Sequence, residues 1–234
     1  MPRARVAVLA SGTGTNLQAM LDYFDRRGER RSADIVLVAS DRAQAGALAR
    51  ARTRGIATEA LADEPPASRI SLEETLTAHR VDLIVLAGYL RRVPATVVRR
   101  YAGRIMNVHP ALLPSFGGRG MYGLRVHEAV IAAGVKVTGV TVHFVDEEYD
   151  RGTIIAQWPV PVLAGDDAAT LAERVLRVEH ILLPRVVDAV AAGRLTLATC
   201  RARGGGGLLG AGSAFTLANQ DDACLAEEID RALG

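Results

Sequence analysis

The sequence predicts an α/β fold: an open, mostly parallel twisted sheet with helices on both faces and an antiparallel strand pair in the C-terminal half. Short, continuous apolar runs alternate with helix-spaced apolar residues through the first half of the chain. Such runs are typical of strands that are buried on both faces of a parallel sheet. In the second half, two apolar runs flank an acidic stretch that ends in Asp150-Arg151-Gly152, a pattern that indicates a hairpin turn.

Apolar runs predict the strands of the first half, and residues at helix spacing predict the helices that connect them. Strands are expected at residues 5–10, 35–39, 56–61, 82–87 and 104–107. Helices are expected from residue 16, at 43–54, and from 68 or 70 to 79. This alternation predicts right-handed crossovers and therefore a Rossmann-like N-terminal half.

The second half has a different pattern. After a loop at residues 112–124, we expect a helix at 126–133, the strand pair at 138–145 and 153–162, a long helix at 168–192 and a last strand at 195–197. Gly204 to Gly207 indicate a flexible linker, and residues 224–233 a weakly amphipathic helix. Residues 1–200 are thus expected to form a single domain, and residues 201–234 a tail of unknown role. Truncation after Cys200 should leave the protein folded and active.

Composition excludes several classes of function. The 28 basic and 26 acidic residues leave a net charge of +2, and aromatic residues make up 4% of the chain, so binding to nucleic acid is not expected. The only cysteines, Cys200 and Cys224, form neither a disulfide framework nor a metal-ligand pattern. No apolar run approaches the roughly 18 residues of a membrane span. The apolar stretch near the N-terminus is interrupted at Ser11-Gly12 and is too short for a signal peptide, so we expect a cytoplasmic protein.

The first strand is followed by a Gly-rich turn, Ser11-Gly12-Thr13-Gly14-Thr15-Asn16. Glycines allow a tight turn, and the N–H groups at a helix N-terminus favour an anion such as phosphate. The spacing matches neither a dinucleotide fingerprint nor a nucleoside-triphosphate loop, so a single small phosphate fits better. The alternative is an ordinary strand-to-helix turn capped by Asn16.

Asn107 and His109 stand two residues apart at the end of a predicted strand and should share a face. An amide could donate a hydrogen bond to a carbonyl oxygen under attack, and an imidazole could move a proton near neutral pH. Asp150, as a carboxylate near His109, would raise the pKa of the imidazole and orient it. These residue types favour acyl transfer without a metal. The structural alternatives are a loop Asn, a His packed against Pro110 and a solvated acidic turn; His143 is expected to be a core histidine.

Three segments resemble phosphoribosylglycinamide formyltransferase, a member of the formyltransferase superfamily. The resemblance extends from about residue 5 to about residue 197. The segments are Ser11-Gly12-Thr13-Gly14-Thr15-Asn16-Leu17-Gln18, Asn107-Val108-His109-Pro110-Ala111-Leu112-Leu113-Pro114 and Val142-His143-Phe144-Val145-Asp146-Glu147-Glu148-Tyr149-Asp150-Arg151-Gly152.

The resemblance implies that a formyl group passes from 10-formyltetrahydrofolate, a co-substrate, to the amine of glycinamide ribonucleotide in purine biosynthesis. Asn107 and His109 would stabilise and protonate the tetrahedral oxygen, and Asp150 would assist His109. Residues 1–100 would form the phosphate-binding half and residues 101–200 the folate and catalytic half. The implied phosphate contacts are Gly14, Thr15 and Asn16, the ribose contact is Glu179, and the folate contacts are Arg69, Leu90, Arg91, Arg92, Val93, Asn107, Asp146 and Asp150.

Three alternatives stay open. A formyltetrahydrofolate hydrolase could use the same side chains, but hydrolases of this kind carry a further N-terminal domain, for which the first strand leaves no room. A formyltransferase acting on initiator transfer RNA would add a C-terminal barrel, and the Gly-rich tail is too short for one. A binding module without activity is disfavoured by the intact Asn107, His109 and Asp150.

Small-molecule substrates, no membrane, no metal and a monomer or homodimer are expected. Asp41 stands where the family more often has Asn, and residues 116–123 lie in a loop of variable length.

Overall fold

The computed structural model describes residues 2–61, 71–203 and 221–234. Strands and helices alternate along most of the chain, with a short 3-10 helix at Gly28–Arg30. The strands are β1 Ala4–Leu9, β2 Ala33–Ser40, β3 Ala57–Ala60, β4 Leu83–Leu86, β5 Ile105–His109, β6 Val137–Phe144 and β7 Ile154–Pro161. The helices are α1 Thr15–Arg27, α2 Gly46–Thr53, α3 Leu72–Ala78, α4 Ala95–Arg100, α5 Leu124–Ala132, α6 Ala168–Ala191, α7 Leu197–Arg203 and α8 Asp221–Leu233.

The seven strands form one sheet in the order β3-β2-β1-β4-β5-β6-β7. Strands β1 to β5 pair in parallel where their registers are defined, with Val6 opposite both Ile35 and Leu83. Strands β6 and β7 pair antiparallel, with an irregularity between Val142 and His143. The predicted fold class, a mostly parallel sheet with an antiparallel pair in the C-terminal half, is therefore confirmed.

The chain divides into two compact units. The first comprises Met1–Asn107 with Val187–Arg194, and the second comprises Val108–Val186 with Leu195–Gly234. In the first unit, β1 and β4 supply fully buried side chains, because parallel strands in the middle of a sheet are covered on both faces. In the second unit, many of the buried side chains come from β6 and from one face of α6, among them Val140, Val142, Leu171, Val175 and Leu182.

A buried carboxylate near the end of α6 makes several polar contacts within the first unit. Asp188 is fully buried, and its Oδ1 accepts a hydrogen bond of 2.8 Å from the backbone N–H of Ser32. Its Oδ2 lies 3.3 Å from Nη2 of both Arg27 and Arg194. A buried charge is tolerated when it is paired and hydrogen-bonded in this way, so this cluster has a structural role.

Two helix predictions need refinement. The sequence pattern did not predict α4, which contains only six residues after Pro94. Helix α3 begins at Leu72 because Ser71 and Glu74 form a reciprocal capping box: the Ser71 hydroxyl accepts from Glu74 N–H, and the Glu74 carboxylate accepts from Ser71 N–H. The predicted start at residue 68 or 70 lies outside the described residues, as does the predicted linker at Gly204 to Gly207.

The predicted strand at residues 195–197 is wrong. Leu195 and Thr196 lead into α7, and Thr196 and Thr199 bond reciprocally, each backbone N–H donating to the other's hydroxyl at 2.9 and 3.2 Å. This exchange caps the helix, since hydroxyl side chains satisfy the N–H groups that a helix start leaves unpaired. Farther on, the predicted tail helix is present as α8, with Leu225 and Ile229 fully buried.

Candidate active site

Strand β5 carries the predicted Asn107 and His109. Asn107 is the last residue of the first unit and stands opposite Leu86 of β4, whereas His109 belongs to the second unit and is 3% exposed. The two residues are separated by Val108, so the alternation of a strand directs them to the same face. Parallel sheets bind ligands at the carboxyl ends of their strands. His109 is the last residue of β5 and therefore lies at this edge of the sheet.

His109 is held by one firm hydrogen bond. Its Nε2 lies 2.9 Å from the carbonyl oxygen of Phe116, so Nε2 carries a proton and donates it, because a carbonyl only accepts. The other ring nitrogen, Nδ1, lies 3.8 Å from Oδ2 of Asp150. Burial lowers the pKa of His109 below its ordinary 6.5, although the Asp150 charge and the Phe116 bond act to raise it. The expected effect of Asp150 is thus present but smaller than that of burial, and His109 is neutral near pH 7.

Asp150 stands at the end of the acidic turn in the left-handed region, with φ of 55°. Its Oδ2 accepts a hydrogen bond of 2.8 Å from Gly118 N–H. Burial acts to raise the pKa of Asp150, but His143, the Gly118 N–H and His109 outweigh it, so the pKa lies below its ordinary value. Gly152 allows the turn to close, since a Cβ there would lie 1.7 Å from the carbonyl oxygen of Phe144. Asp150 is therefore a fixed, ionised carboxylate.

His143 is both a core histidine, as expected, and a second neighbour of Asp150. It is 2% exposed, and its Nδ1–H donates to the carbonyl oxygen of Phe144 at 2.9 Å. Its Nε2 lies 3.6 Å from Oδ1 of Asp150. The sequence pattern missed this pairing, because it depends on the irregular register between β6 and β7. Asp150 thus lies between two imidazoles.

A third buried histidine was also missed. His127 lies on α5, is 4% exposed, and its Nδ1 has no hydrogen-bond partner among the described residues. Burial, followed by the nearby His109, lowers the pKa of His127 to about 4. Its only indication in the sequence is its place soon after the Gly-containing loop that follows Pro110.

Thr141 fixes the chain that follows His109. The Thr141 hydroxyl is fully buried, donates to the carbonyl oxygen of Ala111 at 2.7 Å and accepts from the backbone N–H of Leu113 at 3.0 Å. The Gln157 amide donates to the same hydroxyl at 3.0 Å and to the carbonyl oxygen of Leu113 at 2.9 Å. Satisfied buried networks of this kind hold one geometry, and this one anchors the segment after β5 to β6 and β7.

The Gly-rich turn lies in the first unit between β1 and α1. Gly14 adopts φ of 78° as the N-cap of α1 and provides no side-chain cap, and Asn16 is the second residue of the helix rather than its cap. The first N–H groups of α1 therefore depend on other acceptors, a situation that favours an anion. The Ser11 hydroxyl accepts from Leu90 N–H at 2.9 Å, so the structure brings this turn and the predicted 90–93 segment together.

The other predicted contacts differ in exposure. Glu179 on α6 and Val93 are buried, whereas Leu90 is 43% exposed and Arg92 is exposed. Asp146 is exposed at the acidic turn and accepts a hydrogen bond from Glu148 N–H. Arg91 is half-buried, and Arg69 lies outside the described residues.

The described ranges 2–61, 71–203 and 221–234 contain no group of three or more His, Cys, Asp or Glu that could hold a metal ion. None of the helices within these ranges is long and apolar enough to span a membrane.

The family model for formyl transferases matches residues 4–187. The chain belongs to the formyl transferase family. A protein named phosphoribosylglycinamide formyltransferase, chloroplastic, from Vigna unguiculata is 42% identical over 197 residues, which are 82% of this chain and 62% of that protein. The chain therefore spans less than two thirds of the length of this relative.

Solved structures agree with the family assignment. The phosphoribosylglycinamide formyltransferase from Brucella melitensis is 42% identical, with a TM-score of 0.71 over 83% of this chain and 98% of that one. A formyltetrahydrofolate deformylase from Pseudomonas syringae pv. tomato is 24% identical, with a TM-score of 0.73 over 93% of this chain and 67% of that one. The second likeness shows the fold alone.

Proposed function

We propose that this formyl transferase family member transfers a formyl group from 10-formyltetrahydrofolate to the amine of glycinamide ribonucleotide in purine biosynthesis. The observation that carries the proposal is the buried cluster of a neutral His109 and an ionised Asp150, at the end of the strand that also carries Asn107. The names of the relatives, together with identities near 42%, support this pair of substrates.

The proposed reaction begins when the amine nitrogen of the ribonucleotide attacks the formyl carbon. The carbonyl oxygen gains negative charge, and the Asn107 amide donates a hydrogen bond to it. A neutral imidazole can accept the amine proton, and Asp150, 3.8 Å from Nδ1, stabilises the imidazolium that forms. The bond from the formyl carbon to N10 then breaks, and the proton ends on N10 of the departing tetrahydrofolate.

Residues of both halves of the chain would position the two substrates. We propose that Gly14, Thr15 and Asn16 bind the phosphate with the first N–H groups of α1, and that Glu179 binds the ribose. The folate would contact Arg69, Leu90, Arg91, Arg92 and Val93, together with Asn107, Asp146 and Asp150. Residues 1–100 would then be the phosphate-binding half and residues 101–200 the folate and catalytic half. Much of the rate enhancement would come from holding two reactants in place.

The surroundings of the enzyme are also part of the proposal. We propose a cytoplasmic enzyme that acts on small molecules as a monomer or homodimer, without nucleic acid, membrane or metal. The name of the Vigna relative places that protein in the chloroplast, and this stays a statement about that relative.

Formyl transfer followed spectroscopically, with and without glycinamide ribonucleotide, tests the proposal. Folate turnover that requires the ribonucleotide and yields formylated product supports the transferase. Turnover without the ribonucleotide would indicate a hydrolase instead. Folate binding without any turnover would indicate a binding module, and either result would overturn the proposal.

A further inference from the structure

Helix α2 packs directly against the Gly-rich turn in the first unit. A Cβ on Gly14 would lie 2.7 Å from Cα of Ala47, and a Cβ on Gly46 would lie 3.0 Å from the carbonyl oxygen of Thr13. The backbone N–H of Ala47 donates to the carbonyl oxygen of Gly12 at 3.2 Å. The two glycines therefore permit a close backbone approach, and the turn is supported from the side of α2.

Arg50, one turn along α2, completes this support. Its Nε donates to the carbonyl oxygen of Thr13 at 2.9 Å, and its Nη1 donates to Oε1 of Gln18 on α1 at 3.2 Å. One half-buried guanidinium thus connects α2, the turn and the first helix. A planar guanidinium can make both bonds in one orientation, whereas an ammonium is a single point charge.

We propose that Arg50 is a positioning residue for the phosphate of the ribonucleotide. The inference rests on the proposed function, which places the phosphate at Gly14, Thr15 and Asn16. In a trans peptide the carbonyl of Thr13 and the N–H of Gly14 share one plane and point in opposite directions. Arg50 fixes the Thr13 carbonyl and thereby fixes the direction of the Gly14 N–H.

The charge of Arg50 acts in the same sense. A guanidinium bonded to the turn adds positive potential where a helix N-terminus already favours an anion. The bond to Gln18 restrains the side chain, so this charge is pre-positioned before the substrate arrives. Arg50 therefore acts on the binding of the phosphorylated substrate and has no part in the chemical step.

The test compares Arg50→Met and Arg50→Lys with the wild type. Arg52→Met is the control, because Arg52 is an exposed arginine on the same helix. For Arg50→Met we expect KM for glycinamide ribonucleotide to rise about tenfold, equivalent to about 1.4 kcal/mol. We expect kcat and KM for the folate to stay within about twofold, as for a loss of uniform binding. Arg50→Lys keeps the charge but lacks the planar guanidinium that makes both bonds, so its KM for the ribonucleotide should lie between those of Arg50→Met and the wild type.

Two probes separate a phosphate effect from general damage. Inorganic phosphate, used as a competitor of the ribonucleotide, should lose affinity in Arg50→Met by the same factor as KM rises. Glycinamide riboside, which lacks the phosphate, should react with equal kcat/KM in Arg50→Met and wild type. An unchanged phosphate affinity, or equal losses with both substrates, would overturn the inference.

The effect of Arg50 on phosphate binding can be measured even if the protein transfers no formyl group. Should the wild type form no formylated product, inorganic phosphate should still raise its thermal unfolding midpoint, and Arg50→Met should reduce that rise. In that assay, equal stabilisation of Arg50→Met, Arg52→Met and wild type by phosphate would overturn the role of Arg50 independently of the reaction.

Discussion

Replacing His127 with Leu should make the stability of the protein less sensitive to acid. His127 is 4% exposed, and burial lowers its pKa to about 4 from the ordinary 6.5. Between these two pH values the unfolded chain binds a proton at this site that the folded chain excludes. The free energy of unfolding therefore decreases as pH falls from 6.5 toward 4, and the loss is absent above 6.5.

The size of the effect follows from the two pKa values. At pH 5, proton linkage for a shift of this size costs about 2 kcal/mol of folding free energy. For a chain of this length, 1 kcal/mol corresponds to about 2–4 °C in the unfolding midpoint, so the acid shift is about 4–8 °C. At pH 7.5 Leu removes a buried nitrogen that has no partner within the described residues, so the variant should fold with similar stability.

Calorimetry at pH 7.5 and pH 5 on wild type, His127→Leu and His79→Gln measures this difference. His79, which ends α3 and is half-buried, is the control for losing a histidine elsewhere. Burial also lowers the pKa of His109 and of His180, but both residues are present in all three proteins, so their contributions largely cancel. An acid shift as large in His127→Leu as in the wild type would show that His127 does not exclude a proton in the folded protein.

Three further results are expected. His109→Ala should lower kcat by about 10²–10⁴-fold with little change in substrate binding, because proton transfer acts in the transition state; single-turnover kinetics with an unchanged rate would remove His109 from the mechanism. Because the Asp150 charge raises the pKa of His109, Asp150→Asn should move the acidic limb of the pH profile of kcat to lower pH, and a move to higher pH would contradict this. Truncation after Cys200 removes the fully buried Leu225 and Ile229, so it should lower the free energy of unfolding by about 3–6 kcal/mol. This result would contradict the sequence-based expectation of a dispensable tail, whereas an unchanged unfolding midpoint would restore it.

The buried strands could be predicted because their sequence pattern has one cause. A strand in the middle of a parallel sheet is apolar wherever both of its faces are covered, as in β4 and in the last four residues of β1. Few other structures require so short and continuous an apolar run. The strand predicted at 195–197 failed because Leu195 and Leu197 alternate with Thr196 as strand residues do. The exchange of hydrogen bonds between Thr196 and Thr199 favours a helix start instead, and a local cap outweighs two apolar residues.

Asn107 and His109 could be found from the sequence because they end a strand, and the end of a strand in a parallel sheet is a position with known geometry. His143 and His127 could not, because their relation to His109 and Asp150 depends on strand register and on the path of the loop after Pro110. Neither is encoded in spacing along the chain. Both residues interact electrostatically with the site. His143 helps to lower the pKa of Asp150, and His109 is among the causes that lower the pKa of His127.

The acidic turn shows how tertiary contacts select one carboxylate from several. Asp146, Glu147 and Glu148 are exposed, as expected of a solvated turn, and only Asp150 turns inward. Its left-handed backbone and the approach of Gly152 to Phe144 direct the carboxylate to Gly118 N–H and the two imidazoles. Since burial keeps His109 neutral while these contacts keep Asp150 ionised, the pair of His109 and Asp150 carries one negative charge at neutral pH. An imidazole that gains a proton there is stabilised at once by that charge, which is what a transfer of a proton away from an attacking amine requires.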